Sequence, residues 1–228
     1  MLRLLSVPDP MKRLIAILAK EPSPGRVKTR LAEGVGAEQA AGFAEAFLVD
    51  TIQTAAQVPG ADVLLSFDPP GSKAWFQAHA PAGCHFQPQP QGGLGERIQS
   101  VFDWGFAQGA SACVAIGMDT PQLSSAQLAD ALDACTNGSV VIGPSSDGGY
   151  YLIGMDRPRP ALFNDVAWST DSVLRQTLAH VEACGARAVQ HSEEHDVDDL
   201  QGLEALDAAR LGPLSRAALL AFRRARKG

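Results

Sequence analysis

The chain has 228 residues, of which 46% are hydrophobic and 19% are charged, and its formal net charge is −6. This length allows one large α/β domain with a full core, and the acidic balance argues against broad binding to nucleic acids or to anionic membranes. The four cysteines form no CxxC pair, which favours free thiols and a cytoplasmic protein. We expect no signal peptide, because two prolines interrupt the first ten residues, and no membrane span.

Strands and helices alternate along the sequence. The apolar patterns predict strands at 13–20, 61–67, 84–86, 113 to just before 119, 140–143, 150–155 and 186–189. They predict helices at 37–57, 73–79, 96–108, 125–135, 200–210 and 213–226, and one from a cap at Ser169 or Thr170 to Gly185. Residues 87–95 are expected to form an exposed loop. No linker divides the chain, so we expect 1–228 to be a single domain.

This alternation predicts an α/β fold with a mostly parallel, doubly wound sheet and helices on both faces. The strands at 140–143 and 150–155 are too close in sequence for a helical crossover. They must be antiparallel neighbours or belong to different sheets, so a mixed sheet is predicted.

The loop after the first strand is rich in positive charge. It contains Lys20, Arg26, Lys28 and Arg30 around Gly25, and its near acidic neighbours in sequence are only Glu21 and Glu33. Gly25 permits close approach of a ligand to the backbone, and the cations favour phosphate. The spacing fits neither a Walker A loop nor a dinucleotide-binding fingerprint. We therefore favour phosphate binding over a solvated basic loop.

Asp119 follows a short apolar run, Cys113–Gly117, and Pro121 ends the strand. The carboxylate is thus expected at the carboxyl end of a central strand, where open α/β sheets bind ligands. Such a group can hold a divalent cation against substrate phosphates, or it can be a turn aspartate. Both interpretations stay open at this point.

Three further polar stretches are candidates. Residues 92–97 (GGLGER) open a helix and can admit a phosphate or flat ligand near Gly93, Leu94 and Arg97, or they can form a plain flexible loop. In residues 146–151 (SDGGYY), the glycines expose Asp147, and two successive tyrosines point to opposite faces of a strand. In residues 195–199 (HDVDD), an aspartate can complete a metal site with Asp119, although helix capping is the alternative.

Taken together, the motifs resemble a known family. They are residues 24–31 (PGRVKTRL), 117–121 (GMDTP), 143–144 (GP), 147–154 (DGGYYLIG), 168–170 (WST) and 196–198 (DVD). The chain resembles the bacterial GT-A-like proteins described as arsenosugar-biosynthesis-type glycosyltransferases, within the nucleotide-diphospho-sugar transferase superfamily. The resemblance extends from about residue 14 to about residue 203.

The resemblance implies a Rossmann-like GT-A fold and a transferase that uses a nucleotide-diphosphate sugar, a small-molecule acceptor and Mg²⁺ or Mn²⁺. It assigns the nucleotide phosphates to Lys28 and Arg30, with Arg26 beside them, and the metal to Asp119 and Asp198, with Asp196 as the other choice. Asp147 is the expected base, and Tyr150 and Trp168 are expected on the acceptor side.

Asp119-Thr120-Pro121 replaces the DxD motif that is usual in GT-A glycosyltransferases. That pattern is closer to the nucleotidyltransferases of the same superfamily, such as the phospholactate and molybdenum-cofactor guanylyltransferases. Nucleotidyl transfer from an NTP to a phosphorylated small molecule is therefore the alternative activity. A nucleotide-binding regulator without turnover is the third possibility.

Overall fold

The computed structural model describes residues 13–226, and the first twelve residues, including the segment considered for a signal peptide, lie outside that range. Its strands are β1 Arg13–Lys20, β2 Asp62–Asp68, β3 His85–Pro88, β4 Ala112–Ile116, β5 Ser139–Pro144, β6 Tyr150–Met155 and β7 Arg187–Gln190. They form one seven-stranded sheet in the order β3-β2-β1-β4-β6-β5-β7. β6 runs antiparallel to both of its neighbours, whereas the other pairs are parallel. The predicted mostly parallel, mixed sheet is confirmed.

The α-helices are α1 Thr29–Val35, α2 Ala37–Ala56, α3 Lys73–His79, α4 Leu94–Ala107, α5 Ser125–Ala134, α6 Val173–Ala183, α7 Leu200–Ala205 and α8 Pro213–Ala225. Short 3₁₀ turns occupy Pro70–Ser72, Pro160–Phe163 and Ala208–Arg210. No helix among residues 13–226 is long and apolar enough to cross a membrane.

Alternating side chains of the strands form a core on each face of the sheet. In β1, Ile15 and Ile17 pack with α2, α3 and α5, whereas Leu14 and Ala16 pack with α4 and α6. A third cluster joins the outer side of α2 to α1, α7 and α8, and Phe47 is its largest fully buried side chain. Helices therefore cover both faces, as a doubly wound sheet requires.

Several local predictions are wrong, and packing explains them. Helix α1 was not predicted; its Leu31 is fully buried in the third cluster. Strand β4 ends at Ile116 rather than next to Asp119. Helix α6 begins after Ser172, because Ser169 adopts a left-handed backbone and Thr170 Oγ1 donates to the Ala167 carbonyl at 2.7 Å.

Two other segments also differ from the prediction. The segment 87–95 is not wholly an exposed loop, since β3 extends to Pro88 and Gln89 is buried. The helix predicted at 200–210 is broken at Leu206, whose backbone is extended and whose side chain packs into the third cluster.

Candidate functional site

A cleft of about 990 Å³ opens at the carboxyl ends of β1 and β4. These two strands are parallel neighbours, but the chain goes from β1 to β2 on one side and reaches β4 on the other. This is the switch point of the sheet, where the loops that follow the two strands diverge and leave a crevice. The cleft is lined by the loop after β1, by the loop after β4 and by residues around β5, β6 and α6.

Lys28 lies at the floor of this cleft, and its side chain is only 3% exposed. Its ammonium group contacts Asp119 Oδ1, donates to the Val197 carbonyl at 2.6 Å and lies 3.6 Å from Asp198 Oδ1. Its backbone is left-handed, with φ 48°, a conformation that non-glycine residues rarely adopt. The loop after β1 thus places one buried cation among three oxygen atoms.

Arg30 extends the same ionic cluster toward solvent. Its Nη2 lies 2.5 Å from Asp198 Oδ2, and its side chain is well exposed. The expectation that the loop cations lack acidic partners is therefore wrong for Lys28 and Arg30. The fold brings Asp119 and Asp198 to them from distant parts of the chain, which sequence neighbours cannot reveal.

Asp119 and Asp198 are held together by the backbone as well as by Lys28. The Val197 N–H donates to the Asp119 carbonyl at 2.9 Å, which fixes the segment 196–198 beside the loop after β4. Both carboxylates line the cleft and are about two-fifths exposed. Among the described residues, no group of three or more His, Cys, Asp or Glu side chains is arranged to hold a metal. Two carboxylates that already share one cation do fit Mg²⁺ or Mn²⁺, when substrate phosphates supply further oxygens.

Asp196 differs from Asp198 in its environment. Its Oδ1 accepts the Thr120 hydroxyl at 2.5 Å, and burial raises its pKa to about 6, with a smaller contribution from the carboxylates of Asp119, Asp147 and Asp198. Asp196 therefore lies deeper than Asp198, which faces both loop cations. This geometry favours Asp198 as the partner of Asp119.

The remaining loop cations have open positions. Lys20 and Arg26 are exposed, line the cleft and make no side-chain hydrogen bond or ion pair with the part of the chain that the structure describes. Gly25 does not line the cleft; its φ of 75° shapes the turn that carries Arg26. The side chains of Lys20 and Arg26 are therefore free to contact an incoming anion.

The start of α4 forms a second wall. Leu94 and Arg97 line the cleft, whereas Gly93 does not, and the Gly93 N–H already donates to Glu96 Oε2 at 2.7 Å. Arg97 donates to Gln89 Oε1 at 3.1 Å and to the Gly92 carbonyl at 3.2 Å, so it braces this loop.

The opposite wall carries the residues predicted for the acceptor side. Asp147 Oδ1 accepts the Ser145 hydroxyl and the Gly149 N–H, the latter at 2.9 Å, and its second oxygen takes part in neither bond. The rings of Tyr150 and Trp168 meet edge to face, with centroids 6.4 Å apart. The structure thus brings Asp147, Tyr150 and Trp168 to one side of the cleft.

Sequence reasoning missed three residues of the cleft. Gln89 is buried and donates to the Ala19 and Ser66 carbonyls at 3.1 and 2.8 Å, tying the ends of β1 and β2 together. Thr120 holds Asp196, and Asp171 extends the wall beside Trp168. Gln89 is one of three glutamines, at 87, 89 and 91, in a Pro/Gly-rich stretch, and the sequence does not distinguish a buried amide from an exposed one.

Comparison with solved structures supports the superfamily that the motifs indicate. The chain is similar to a candidate nucleotide-diphospho-sugar transferase from Desulfovibrio desulfuricans G20, with TM-score 0.83 and 29% identity over 93% of this chain and 95% of that chain. The match confirms the Rossmann-like nucleotide-diphospho-sugar transferase fold. The arsenosugar-type assignment stays a prediction.

More distant structures share the fold alone. CMP:2-keto-3-deoxy-manno-octonic acid synthetase complexed with CTP has TM-score 0.56 and 14% identity over 85% of this chain and 95% of that chain. A cytidylyltransferase from Leptospira borgpetersenii serovar Hardjo-bovis has TM-score 0.53 and 13% identity, covering 95% of each chain. No curated protein matches the sequence.

The family to which the chain belongs follows from its sequence. A family model described as uncharacterized protein conserved in bacteria (DUF2064) matches residues 51–170, a range that contains Asp119, Asp147 and Trp168. Because this range is more than half of the 228 residues, the protein is a member of the DUF2064 family.

Proposed function

We propose that this protein, acting as one domain, is a transferase that binds a nucleotide-diphosphate sugar in the switch-point cleft and transfers the sugar to a small-molecule acceptor. The observation that carries the proposal is the pairing of a basic loop after β1 with two carboxylates, Asp119 and Asp198, at the same edge of the sheet. A purely structural loop has no need of four cations and two half-exposed carboxylates around one cleft.

The phosphates of the donor would enter along the basic loop. Lys20 and Arg26 are exposed and free of partners among the described side chains, so they are suited to first contact with the anion. Arg30 would turn from Asp198 to the phosphates, and Lys28 would bridge phosphate and carboxylate. Charge-assisted bonds of this kind are shorter and stronger than bonds between neutral groups.

Asp119 and Asp198 would hold Mg²⁺ or Mn²⁺. The ion, when bound, supplies positive charge that offsets the charge on the departing diphosphate. The protein's own part is to position the two carboxylates, which it does through the bond between Val197 N–H and the Asp119 carbonyl.

Asp147 is suited to accept the proton of the acceptor hydroxyl if the reaction inverts configuration. Ser145 and Gly149 both donate to its Oδ1, which orients the carboxylate and leaves Oδ2 available to accept a proton. Trp168 and Tyr150 would bound the acceptor on the same side.

Nucleotidyl transfer is the second candidate. It is favoured by one observation: Pro121 stands two residues after Asp119, where a DxD motif would carry its second carboxylate. In that reaction an acceptor would attack the α-phosphate of an NTP.

Product analysis separates the two. The protein is titrated calorimetrically with UDP- and GDP-linked sugars and with NTPs, with and without Mg²⁺, and the products are then identified. Release of a nucleoside diphosphate supports sugar transfer, whereas release of pyrophosphate supports nucleotidyl transfer. Binding without turnover across a broad acceptor panel would indicate a nucleotide-binding regulator, and failure to bind any nucleotide would refute the proposal.

A further inference from the structure

The charges that line the cleft are divided between its two halves. All five basic residues belong to the end of β1, to the loop after it, to α1 or to α4: Lys20, Arg26, Lys28, Arg30 and Arg97. The opposite half is formed by 145–153, 168–173 and 196, and within the described chain its lining includes no lysine, arginine or histidine. It includes three carboxylates instead, those of Asp147, Asp171 and Asp196.

The acidic half is rigidly built. Gly148 lies directly against the backbone of Asp171, since a Cβ on Gly148 would be 2.6 Å from Asp171 Cα, and the Leu174 N–H donates to the Gly148 carbonyl at 2.9 Å. The turn that carries Asp147 and the loop that carries Asp171 are therefore docked on each other.

Aromatic surface lies next to these carboxylates. Trp168 packs on Gly95 at the start of α4, where a Cβ would lie 2.7 Å from Trp168 Nε1, and its ring meets Tyr150. Leu94 lines the same region and is 45% exposed. Aromatic and aliphatic walls with carboxylate acceptors suit the C–H faces and hydroxyl groups of an uncharged ring, and they are compatible with a cation.

We propose that the acceptor is a hydroxyl compound without phosphate or carboxylate groups, and that this half of the cleft selects against anionic acceptors. This inference depends on the proposed function, which places the donor phosphates on the basic half. An anionic acceptor on the other half would face three carboxylates in a partly desolvated cleft with no counter-charge within that half. The acidic half should therefore bind a hydroxyl acceptor more tightly than the phosphate ester of the same acceptor.

The transfer step balances with such an acceptor. The acceptor oxygen forms a bond to the anomeric carbon of the donor sugar while the bond from that carbon to the diphosphate oxygen breaks. The bonding electron pair leaves with the nucleoside diphosphate. The hydroxyl proton goes to Asp147, so no further reactant is needed.

The test uses matched probes on the full chain. Glucose and glucose 6-phosphate, and glycerol and glycerol 3-phosphate, are titrated calorimetrically into the protein saturated with GDP or UDP and Mg²⁺. With the basic half occupied, we expect each phosphate ester to bind on the order of tenfold or more weakly than its parent, or undetectably. Tighter binding of the phosphate esters than of their parents would overturn the inference while leaving nucleotide binding intact.

Charge reversal gives an independent measurement. Asp171→Lys should strengthen binding of glucose 6-phosphate to the nucleotide-loaded protein by on the order of tenfold, since Asp171 is exposed on the acidic half. Glu182→Lys, on the exposed side of α6 and outside the cleft, makes the same change in net charge and should have no effect. Equal effects of the two variants would contradict the inference.

Absence of nucleotide binding would refute the proposed function, and the nucleotide titration detects it before the probes are added. In that case the same probes are titrated into the nucleotide-free protein in the presence of pyrophosphate, which is added to occupy the basic half. Failure of Asp171→Lys to strengthen binding of the phosphate esters there would overturn the acceptor inference on its own terms.

Discussion

Lys28 is a buried cation that contacts Asp119 and lies near Asp198, the two carboxylates that we propose as metal ligands. Its ammonium group contacts Asp119 and the Val197 carbonyl and lies near Asp198, while Phe47 lies 6.0 Å beneath it. A buried charge of this kind persists only with well-placed partners. Under the proposed function, Lys28 would therefore compete with a divalent cation for the carboxylate pair.

Replacing Lys28 tests this competition. In Lys28→Met the two carboxylates lose their internal counter-ion, so Mn²⁺ should bind in the absence of nucleotide on the order of tenfold more tightly than to the wild type. The signal of free Mn²⁺ in electron paramagnetic resonance gives the affinity directly. Lys20→Met, which removes an exposed cation of the same loop, is the control and should leave that affinity unchanged. Equal Mn²⁺ affinity of Lys28→Met and wild type would show that Lys28 does not compete.

At the scale of elements, the turn between β5 and β6 depends on one glycine. Gly148 has φ 86°, and its α-carbon faces the backbone of Asp171. Both features exclude a side chain, the first because L-residues are strained in this conformation and the second because there is no space.

Two alanine variants separate these effects. Gly60→Ala changes a residue with φ 69° and nothing within 4 Å of a Cβ, so it should cost about 1–2 kcal/mol in unfolding free energy. Gly148→Ala should cost about 1–3 kcal/mol more than that, because it also separates the turn from the loop 168–173. Urea denaturation measures both. Similar losses in the two variants would show that the turn is not docked as described.

The contact between α4 and Trp168 gives a second test at this scale. A Cβ on Gly95 would lie 2.7 Å from Trp168 Nε1, whereas Gly42, inside α2, has open space. Gly42→Ala should raise stability by about 0.5–1 kcal/mol, and Gly95→Ala should lower it by about 1–3 kcal/mol. In a Trp75→Phe, Trp104→Phe background, Gly95→Ala should also shift the Trp168 emission to longer wavelength. An unchanged emission would contradict the packing.

Elements with a strong local signal could be predicted from the sequence. The Ser124 capping box gave the start of α5, and the pattern of β1 gave both of its ends, because in each the local hydrogen bonding or hydrophobic pattern agrees with the fold. Helix α1 could not be predicted, since its Leu31 is buried in a cluster that joins α2 to α7 and α8, which lie far along the chain.

The site was partly predictable for the same reason. The sequence shows cations after β1 and a carboxylate after β4. Their meeting follows from the parallel strands, whose carboxyl ends lie at one edge of the sheet. The position of Asp198 beside Lys28, and of Asp196 beside Thr120, depends on how the segment 191–199 returns to that edge. No local pattern encodes that return.

On the scale of the whole molecule, Glu194 anchors this segment to the sheet. Its carboxylate contacts Arg210 and accepts from Gln127 at 3.1 Å and Gln122 at 3.3 Å, and its N–H donates to the Pro144 carbonyl at 3.1 Å. Asp198 lies only four residues after this anchor, so we expect its position to depend on it.

Truncation of Glu194 should therefore affect both stability and ligand binding. Glu194→Ala removes the acceptor of the Gln127 amide and of Arg210, and one of the two acceptors of the buried Gln122 amide, so it should cost about 1–3 kcal/mol. Glu194→Gln, which keeps an acceptor oxygen, should cost less. Glu204→Ala breaks an exposed pair with Arg226 and should cost less than about 1 kcal/mol. Denaturation gives these values, and calorimetry should show weaker nucleotide binding for Glu194→Ala alone. Unchanged nucleotide binding by Glu194→Ala would show that the contacts of Glu194 do not determine the geometry of the site.

The central claim is that Asp119 belongs to a metal-dependent phosphate site, and Asp119→Asn tests it most directly. The amide keeps an acceptor oxygen for Lys28 but loses the charge that binds a divalent ion. The measurement is the shift in melting temperature caused by GDP or UDP, with and without Mg²⁺, in the wild type, in Asp119→Asn and in Asp130→Asn, an exposed aspartate of α5. The account predicts that Asp119→Asn folds normally, keeps the metal-free shift and loses the additional shift due to Mg²⁺, while Asp130→Asn behaves as the wild type. A full Mg²⁺-dependent shift in Asp119→Asn would contradict it.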